Sequence, residues 1–284
     1  MSVKYPTKIK SVITKLTQCT QKALQSRRSR IQIELPPAVD YGIETNGKQK
    51  QAKSDDLDLV KRSNREAARL LTEMFAILGP TTVVLFPSEA EAQVARNLWG
   101  SKFKGQVLSI DVKAAKGMGN LRSRRFSAQE QEAALLGSDG LYVPDGTEVL
   151  LVAGPRAKDA RKIIKLHEKF GEATFIALIN ARLDAIVAGA DSAAAAAAEE
   201  VDEIFDNAFH YAPPVLSTAG EFLVYHEFGE KWYVAEKPKK ESGGGIMDSV
   251  GSMVGQMTGK DDLVTRWEGD EKPTQEQIMQ ATSS

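Results

Sequence analysis

Two segments of this chain combine residue types that can hold an anion. The first is the glycine turn Lys116-Gly-Met-Gly119, which leaves the run Gln106-Val-Leu-Ser-Ile-Asp-Val112 and leads into Arg122, Arg124 and Arg125. Backbone N–H groups at such a turn can cradle phosphate, and guanidinium groups grip phosphate or carboxylate through a two-pronged fork. Gly117, Gly119 and Arg122 are therefore candidate ligand residues, and Arg124 and Arg125 candidate contacts for a protein partner. The second segment is Asn180-Ala-Arg-Leu183, which closes the apolar run Thr174-Phe-Ile-Ala-Leu-Ile179. Polar side chains beyond the carboxyl end of a parallel strand face the ligand crevice of an α/β sheet, so Asn180 and Arg182 join the ligand candidates. Each feature also has a plainer reading. The arginines suit a solvated loop, Asp111 suits a cap more than a ribose-hydroxyl acceptor, and Asn180 with Arg182 could equally pair internally.

The wider patterns for catalysis are missing from the sequence. A dinucleotide fingerprint needs a third glycine where Arg122 stands, and no G-x-x-x-x-G-K-S/T occurs. There is no G-x-S-x-G for an activated serine. Cys19 sits among apolar neighbours on a helical pattern and reads as core. His167, His210 and His226 are widely spaced and Cys19 has no cysteine partner, so no zinc signature arises. The expectation is a chain without cofactor, metal or catalytic residues, and more a binding protein than an enzyme.

These residues need a parallel sheet to bring them together. Helical spacing after Pro6 predicts a helix to about Ser26, followed by a strand at 31–35 and a surface loop over 38–57. A helix follows with Leu59, Leu70, Leu71 and Met74, then a fully apolar strand, Thr82-Val-Val-Leu-Phe86, of the kind covered on both faces. A helix after Pro87-Ser88, a strand at 106–112, a short extra strand at 141–143 and a strand at 149–153 come next. The crossover helix is expected over 156–170, and a long helix after Arg182 ending near Phe209. Glu221–Phe228 and Lys231–Glu236 around Gly229-Glu230 read as an antiparallel hairpin. Leu263–Trp267 is one more strand, and Thr274–Ala281 a last helix.

The predicted fold is α/β, a Rossmann-like three-layer, mostly parallel sheet extended by an antiparallel C-terminal hairpin. It reads as one domain over 1–284, with a βα-repeating part at 1–212 and an extension at 213–284. The extension carries a Gly/Met-rich insertion at 241–261. In it Met247, Met253 and Met257 lie on an apolar stripe at helical spacing, a surface suited to a partner groove or a membrane.

Composition narrows the class. Of 284 residues 42% are apolar and 26% charged, which fits a globular protein rather than a disordered one. A formal charge of −1 argues against a nucleic-acid-binding surface. No apolar run reaches the roughly 18–20 residues that span a bilayer. A lone cysteine favours a reducing compartment. The first 33 residues contain no acidic side chain, as in organellar transit peptides, but Ile9, Val12, Ile13, Leu16 and Ala23 recur as on a packed helix. The structural helix is the reading taken here.

The order of several short motifs resembles a plant, algal and cyanobacterial family of unknown-function domains that includes the low photosystem II accumulation type of assembly factor. These are Tyr5-Pro6, Arg30-Ile-Gln-Ile-Glu-Leu-Pro36, Ser63-Asn64-Arg65, Leu85-Phe86-Pro87 and Val152-Ala-Gly-Pro155. Asn180-Ala-Arg-Leu183 is similar to the family's Asn-Pro-Arg-Leu, with Ala181 in place of proline, and Trp232, Trp267 and Lys272-Pro273 also match. The resemblance implies a Rossmann-like domain, plastid residence and an accessory role in assembling a photosynthetic complex, with no catalytic residue to carry over. Two functional expectations result. One is a protein-interaction factor acting through Arg124, Arg125 and the methionine stripe, with possible peripheral membrane contact. The other is a protein holding a phosphorylated small molecule near Gly117, Gly119, Arg122, Asn180 and Arg182. Without the resemblance the compartment would be read as cytoplasmic.

Overall fold

The computed structural model describes residues 3–6, 8–37, 39, 41, 57–111, 141–183, 192–214, 222–236 and 263–283. Nine strands form one sheet in the order β3-β2-β4-β5-β1-β6-β7-β8-β9. They are β1 (Arg30–Glu34), β2 (Thr82–Phe86), β3 (Gln106–Ser109), β4 (Val149–Ala153), β5 (Phe175–Ile179), β6 (Asp206–Ala212), β7 (Phe222–Glu227), β8 (Trp232–Glu236) and β9 (Val264–Gly269). The first six in sheet order run parallel, and β7, β8 and β9 continue antiparallel from β6. The α/β, mostly parallel sheet with an antiparallel end is the architecture the periodicities predict.

The fully apolar strands are central because both of their faces are covered. On one face lie α1 (Ile9–Gln25), α2 (Leu57–Met74) and α3 (Glu89–Trp99). Val12 and Leu16 of α1, Ala67 and Leu71 of α2, and Ala92 and Ala95 of α3 share a core with Ile31, Val84, Leu151 and Ala177. On the other lie α4 (Ala160–Phe170) and α5 (Ser192–Ile204), whose Ile163, Leu166, Ala198 and Val201 pack on Leu85, Leu150, Val152 and Leu178. The last helix, α6 (Gln275–Ser283), packs Ile278 and Ala281 against Phe222, Val234 and Trp267 of the antiparallel part. The basic N-terminal segment from Ile9 is thus part of the fold.

Several expected elements differ. The strand predicted over 106–112 ends at Ser109, although Ile110 N still donates to the Phe86 carbonyl; Asp111 beyond it pairs with three cations described below, and Val112 lies outside the described residues. Leu141–Val143 form no strand; Val143 is buried and its carbonyl accepts from Lys169 Nζ. The long helix expected to run to Phe209 ends at Ile204, and Asp206–Ala212 is strand β6. Helix propensity in the alanine run is overridden downstream by pairing with β1 on one side and β7 on the other, which buries Phe209 and Tyr211. Within the predicted surface loop, Val39 and Tyr41 are buried, and Tyr41 N donates to Glu66 Oε2 at 2.6 Å.

Candidate functional site

The carboxyl edge of the parallel strands has two places where chain exits diverge. β2 leads through α3 to β3, while its neighbour β4 leads the opposite way through α4 to β5. β1 leads through α2 back to β2, while its neighbour β6 leads on to β7. A crevice opens at such divergences, and ligands of open α/β sheets bind there.

At the β1/β6 divergence lies a cleft of about 600 Å³. Gln32 and Glu34 come from β1, Arg182 and Leu183 from the exit of β5, Glu199, Asp202 and Glu203 from α5, His210 from β6, and Lys272 and Ile278 from the C-terminal segment. Two links fix the floor. Gln32 Nε2 donates to Asp202 Oδ1 at 2.6 Å and to the Phe205 carbonyl at 3.1 Å, tying α5 to the sheet. Lys272 Nζ pairs with Asp202 at 3.1 Å. The cleft's four carboxylates therefore face two cations, Arg182 and Lys272.

The tetrapeptide Asn180–Leu183 shapes the entrance. Asn180 and Arg182 both have left-handed backbones, at φ 52° and 51°. Asparagine tolerates that region and arginine does so less readily. Arg182 is held there by its N–H, which donates to Glu34 Oε1 at 2.7 Å. The two candidates then part company. Asn180 is buried, with Oδ1 accepting from Leu35 N at 2.7 Å and Nδ2 donating to Asn64 Oδ1 at 2.8 Å, so its amide serves the scaffold. Arg182 lines the cleft, and its guanidinium makes no hydrogen bond or ion pair among the described residues.

His210 faces the same cleft from below. It is 7% exposed, and Nδ1 has no hydrogen-bond partner among the described residues. Burial, aided by the charges of Lys272 and Arg182 and by His226, holds its imidazolium well below the usual range, so the ring is neutral at physiological pH. Behind it His226 stacks on Trp232 with centroids 4.3 Å apart, and Trp232 lies 5.3 Å from His210. His226 Nε2 meets the Asn207 carbonyl at 3.1 Å; a carbonyl only accepts, so the proton sits on Nε2.

At the β2/β4 divergence a second polar cluster forms. Asp111, just past β3, receives Arg156 Nη2 at 2.7 Å, Lys158 Nζ at 2.7 Å and Lys162 Nζ at 3.1 Å. Arg156 also donates to the Pro87 carbonyl at the end of β2 and pairs with the buried Asp159 at 2.9 Å. Burial pushes the Asp111 carboxyl up, but the hydrogen bonds from Lys158, Arg156 and Lys162 outweigh it and hold the group well below the usual carboxylate range. Among the described residues, no group of three or more His, Cys, Asp and Glu is placed to hold a metal ion.

A family model described as a domain of unknown function (DUF1995) matches residues 6–262. The chain belongs to this family. No curated protein and no solved structure matches it. The matched span of this DUF1995 chain includes the whole Asp111 cluster and most of the cleft, but stops short of Lys272 and α6, which close one wall. No helix among the described residues is long and apolar enough to cross a membrane.

Of the residues singled out from the DUF1995 sequence, Asn180 and Arg182 are described; Gly117, Gly119, Arg122, Arg124, Arg125, Met247, Met253 and Met257 lie outside the described residues. Sequence reasoning missed His210, Glu34 and Asp202. The available signal for His210 was the aromatic alternation Phe209-His210-Tyr211, which marks a strand with His210 on the opposite face from its neighbours.

Proposed function

We propose that this protein binds a small polar molecule, anionic at one end, in the cleft at the carboxyl ends of β1 and β6. The observation that carries the reading is Arg182, whose guanidinium is uncommitted among the described residues, beside the buried His210 with its open Nδ1. Arg182 takes the anionic group, phosphate or carboxylate, through its fork. The neutral ring of His210 meets a hydroxyl or N–H of the ligand. Glu199 and Glu203 give the cleft an excess of negative charge, so the rest of the ligand carries hydroxyl or ammonium groups rather than further anions.

A ligand that binds only the folded state raises the melting temperature by mass action. A thermal-shift panel of sugar phosphates, nucleotides, hydroxy acids and amino acids is expected to contain a stabilising member. Its effect should vanish in Arg182→Ala, made in a Lys158→Glu background so that the Asp111 cluster cannot take the anion, while the unliganded melting temperature holds. A panel without any hit, or a shift that survives Arg182→Ala, sinks the reading.

A second reading follows from the family resemblance: an accessory factor for a photosynthetic or organellar complex, resident in a plastid. Ile77, 96% exposed, favours a protein partner; it follows Phe75 by two residues, and Phe75 lines a groove of about 370 Å³ with Leu16, Leu24, Leu70 and Met74. Native fractionation with a tagged copy tests it. Co-migration with a large complex that Ile77→Glu abolishes supports this reading, and migration as a monomer counts against it.

A further inference from the structure

We propose that Arg156, Lys158 and Lys162 form a second anion site, built for a phosphoryl group, which Asp111 fills in the unliganded chain. The site is independent of the β1/β6 cleft and sits at the other divergence, where the exits of β2, β3 and β4 meet. The cluster has more positive charge than its structural role needs. Arg156 alone, bonded to Asp159, Asp111 and the Pro87 carbonyl, already ties the three exits together. Lys158 is 60% exposed, and an exposed pair of that kind adds little stability, since ordering the long side chain offsets the attraction. Three cations nonetheless converge on one carboxylate, with Asp159 the only other acid paired in the cluster among the described residues.

The donor set suits an oxyanion. Arg156 and Lys158 each reach Asp111 Oδ2 at 2.7 Å, within the range of charge-assisted bonds, and Lys162 reaches Oδ1 at 3.1 Å. Each ammonium has three N–H groups, and Lys158 uses one of them on Asp111. A phosphoryl dianion offers more acceptor oxygens and more charge than the aspartate, so it can displace that side chain from the same donors. The amino end of the helical segment that begins at Ala157 adds a favourable dipole.

The test is calorimetric titration of the full chain with inorganic phosphate and pyrophosphate at constant ionic strength, with chloride as the blank. Asp111→Asn removes the resident anion and keeps its shape, so it should bind phosphate at least about tenfold more tightly than the unmodified chain. Adding Lys158→Glu to that variant should reverse the gain. Lys158→Glu alone, at an exposed position, should fold normally and lose the phosphate-induced rise in melting temperature seen in the unmodified chain. That comparison decides the matter if Asp111→Asn fails to fold. Equal affinity in Asp111→Asn and the unmodified chain, absence of binding in both, or binding indifferent to Lys158→Glu would overturn the proposal.

Discussion

Asn180 Nδ2 donates to Asn64 Oδ1 at 2.8 Å, across 116 positions of sequence. The pair fastens the exit of β5 to α2. Asn180 Oδ1 meanwhile accepts from Leu35 N, and Asn180 N donates to the Ile33 carbonyl, so one side chain and its peptide also anchor the end of β1. Two motifs far apart in sequence, Ser63-Asn64-Arg65 and Asn180-Ala-Arg-Leu183, are thus halves of one buried junction. The junction holds Arg182 at the lip of the cleft.

Asn180→Ala should therefore destabilise the fold without touching any ligand directly. It strands Leu35 N–H and Asn64 Oδ1 in the interior and puts alanine in a left-handed backbone, a loss of about 2–4 kcal/mol. Asn180→Gly relieves the backbone part, so its urea midpoint should lie between those of the alanine variant and the unmodified chain. Equal midpoints for the two variants would show that the left-handed turn carries no strain for alanine.

Gly154, at the exit of β4, leans on the same junction. Its φ is 57°, and a Cβ there would lie 2.1 Å from Asn64 Nδ2. Gly154→Ala alone should be strongly destabilising. Asn64→Ala removes the colliding amide, so the double variant should be more stable than the sum of the two single losses by about 1–2 kcal/mol. Simple additivity in a double-mutant cycle would mean that the chain yields elsewhere.

The histidines behind the cleft give stability a pH dependence. His210 is pushed well below its ordinary range by burial, then by Lys272 and Arg182 and by His226; His226 is lowered by burial against its own backbone hydrogen bonds. The unfolded chain takes up these protons near pH ~6.5 and the folded chain does not. Their contribution is therefore complete above that pH and is lost as the pH falls below it, by up to about 1.4 kcal/mol per pH unit for each proton. His210→Gln should flatten the fall of the urea midpoint between about pH 6.5 and 5. Parallel curves for the variant and the unmodified chain would assign the acid sensitivity to other groups.

The sheet was legible where burial on both faces leaves a run of apolar residues, as at Thr82–Phe86, Val149–Ala153 and Phe175–Ile179. It was missed at Asp206–Ala212, where an alanine run leads in and only Phe209-His210-Tyr211 alternates; pairing with β1 and β7 on either side completes the strand. The cleft was less legible still. Glu34, Asp202, His210 and Lys272 share no spacing, because the sheet order places β1, fifth in the row, between β5 and β6. Arg182 stood out only because it ends an apolar strand. The Asp111 cluster joins side chains some 45 to 51 positions apart, so local pattern could offer Asp111 a cap or a ribose contact but none of its three cations.

Cys19 offers a probe of α1 that is independent of any ligand. The thiol is fully buried, and burial pushes it up to about 11, with the Phe228 backbone and the lysines at 22 and 15 opposing and Glu227 adding to the rise. At pH 8 almost no thiolate exists in the folded chain, and the thiolate is the species that alkylates. Labelling by iodoacetamide should therefore proceed only when α1 lifts from the sheet or the domain unfolds. If α1 is integral to the core, as Val12, Leu16 and Ala23 packed beside Cys19 imply, the labelling rate should rise with urea at the global slope. A shallower slope would mark α1 as a separately opening unit, and labelling at the rate of a free thiol without denaturant would show that it is not docked in solution.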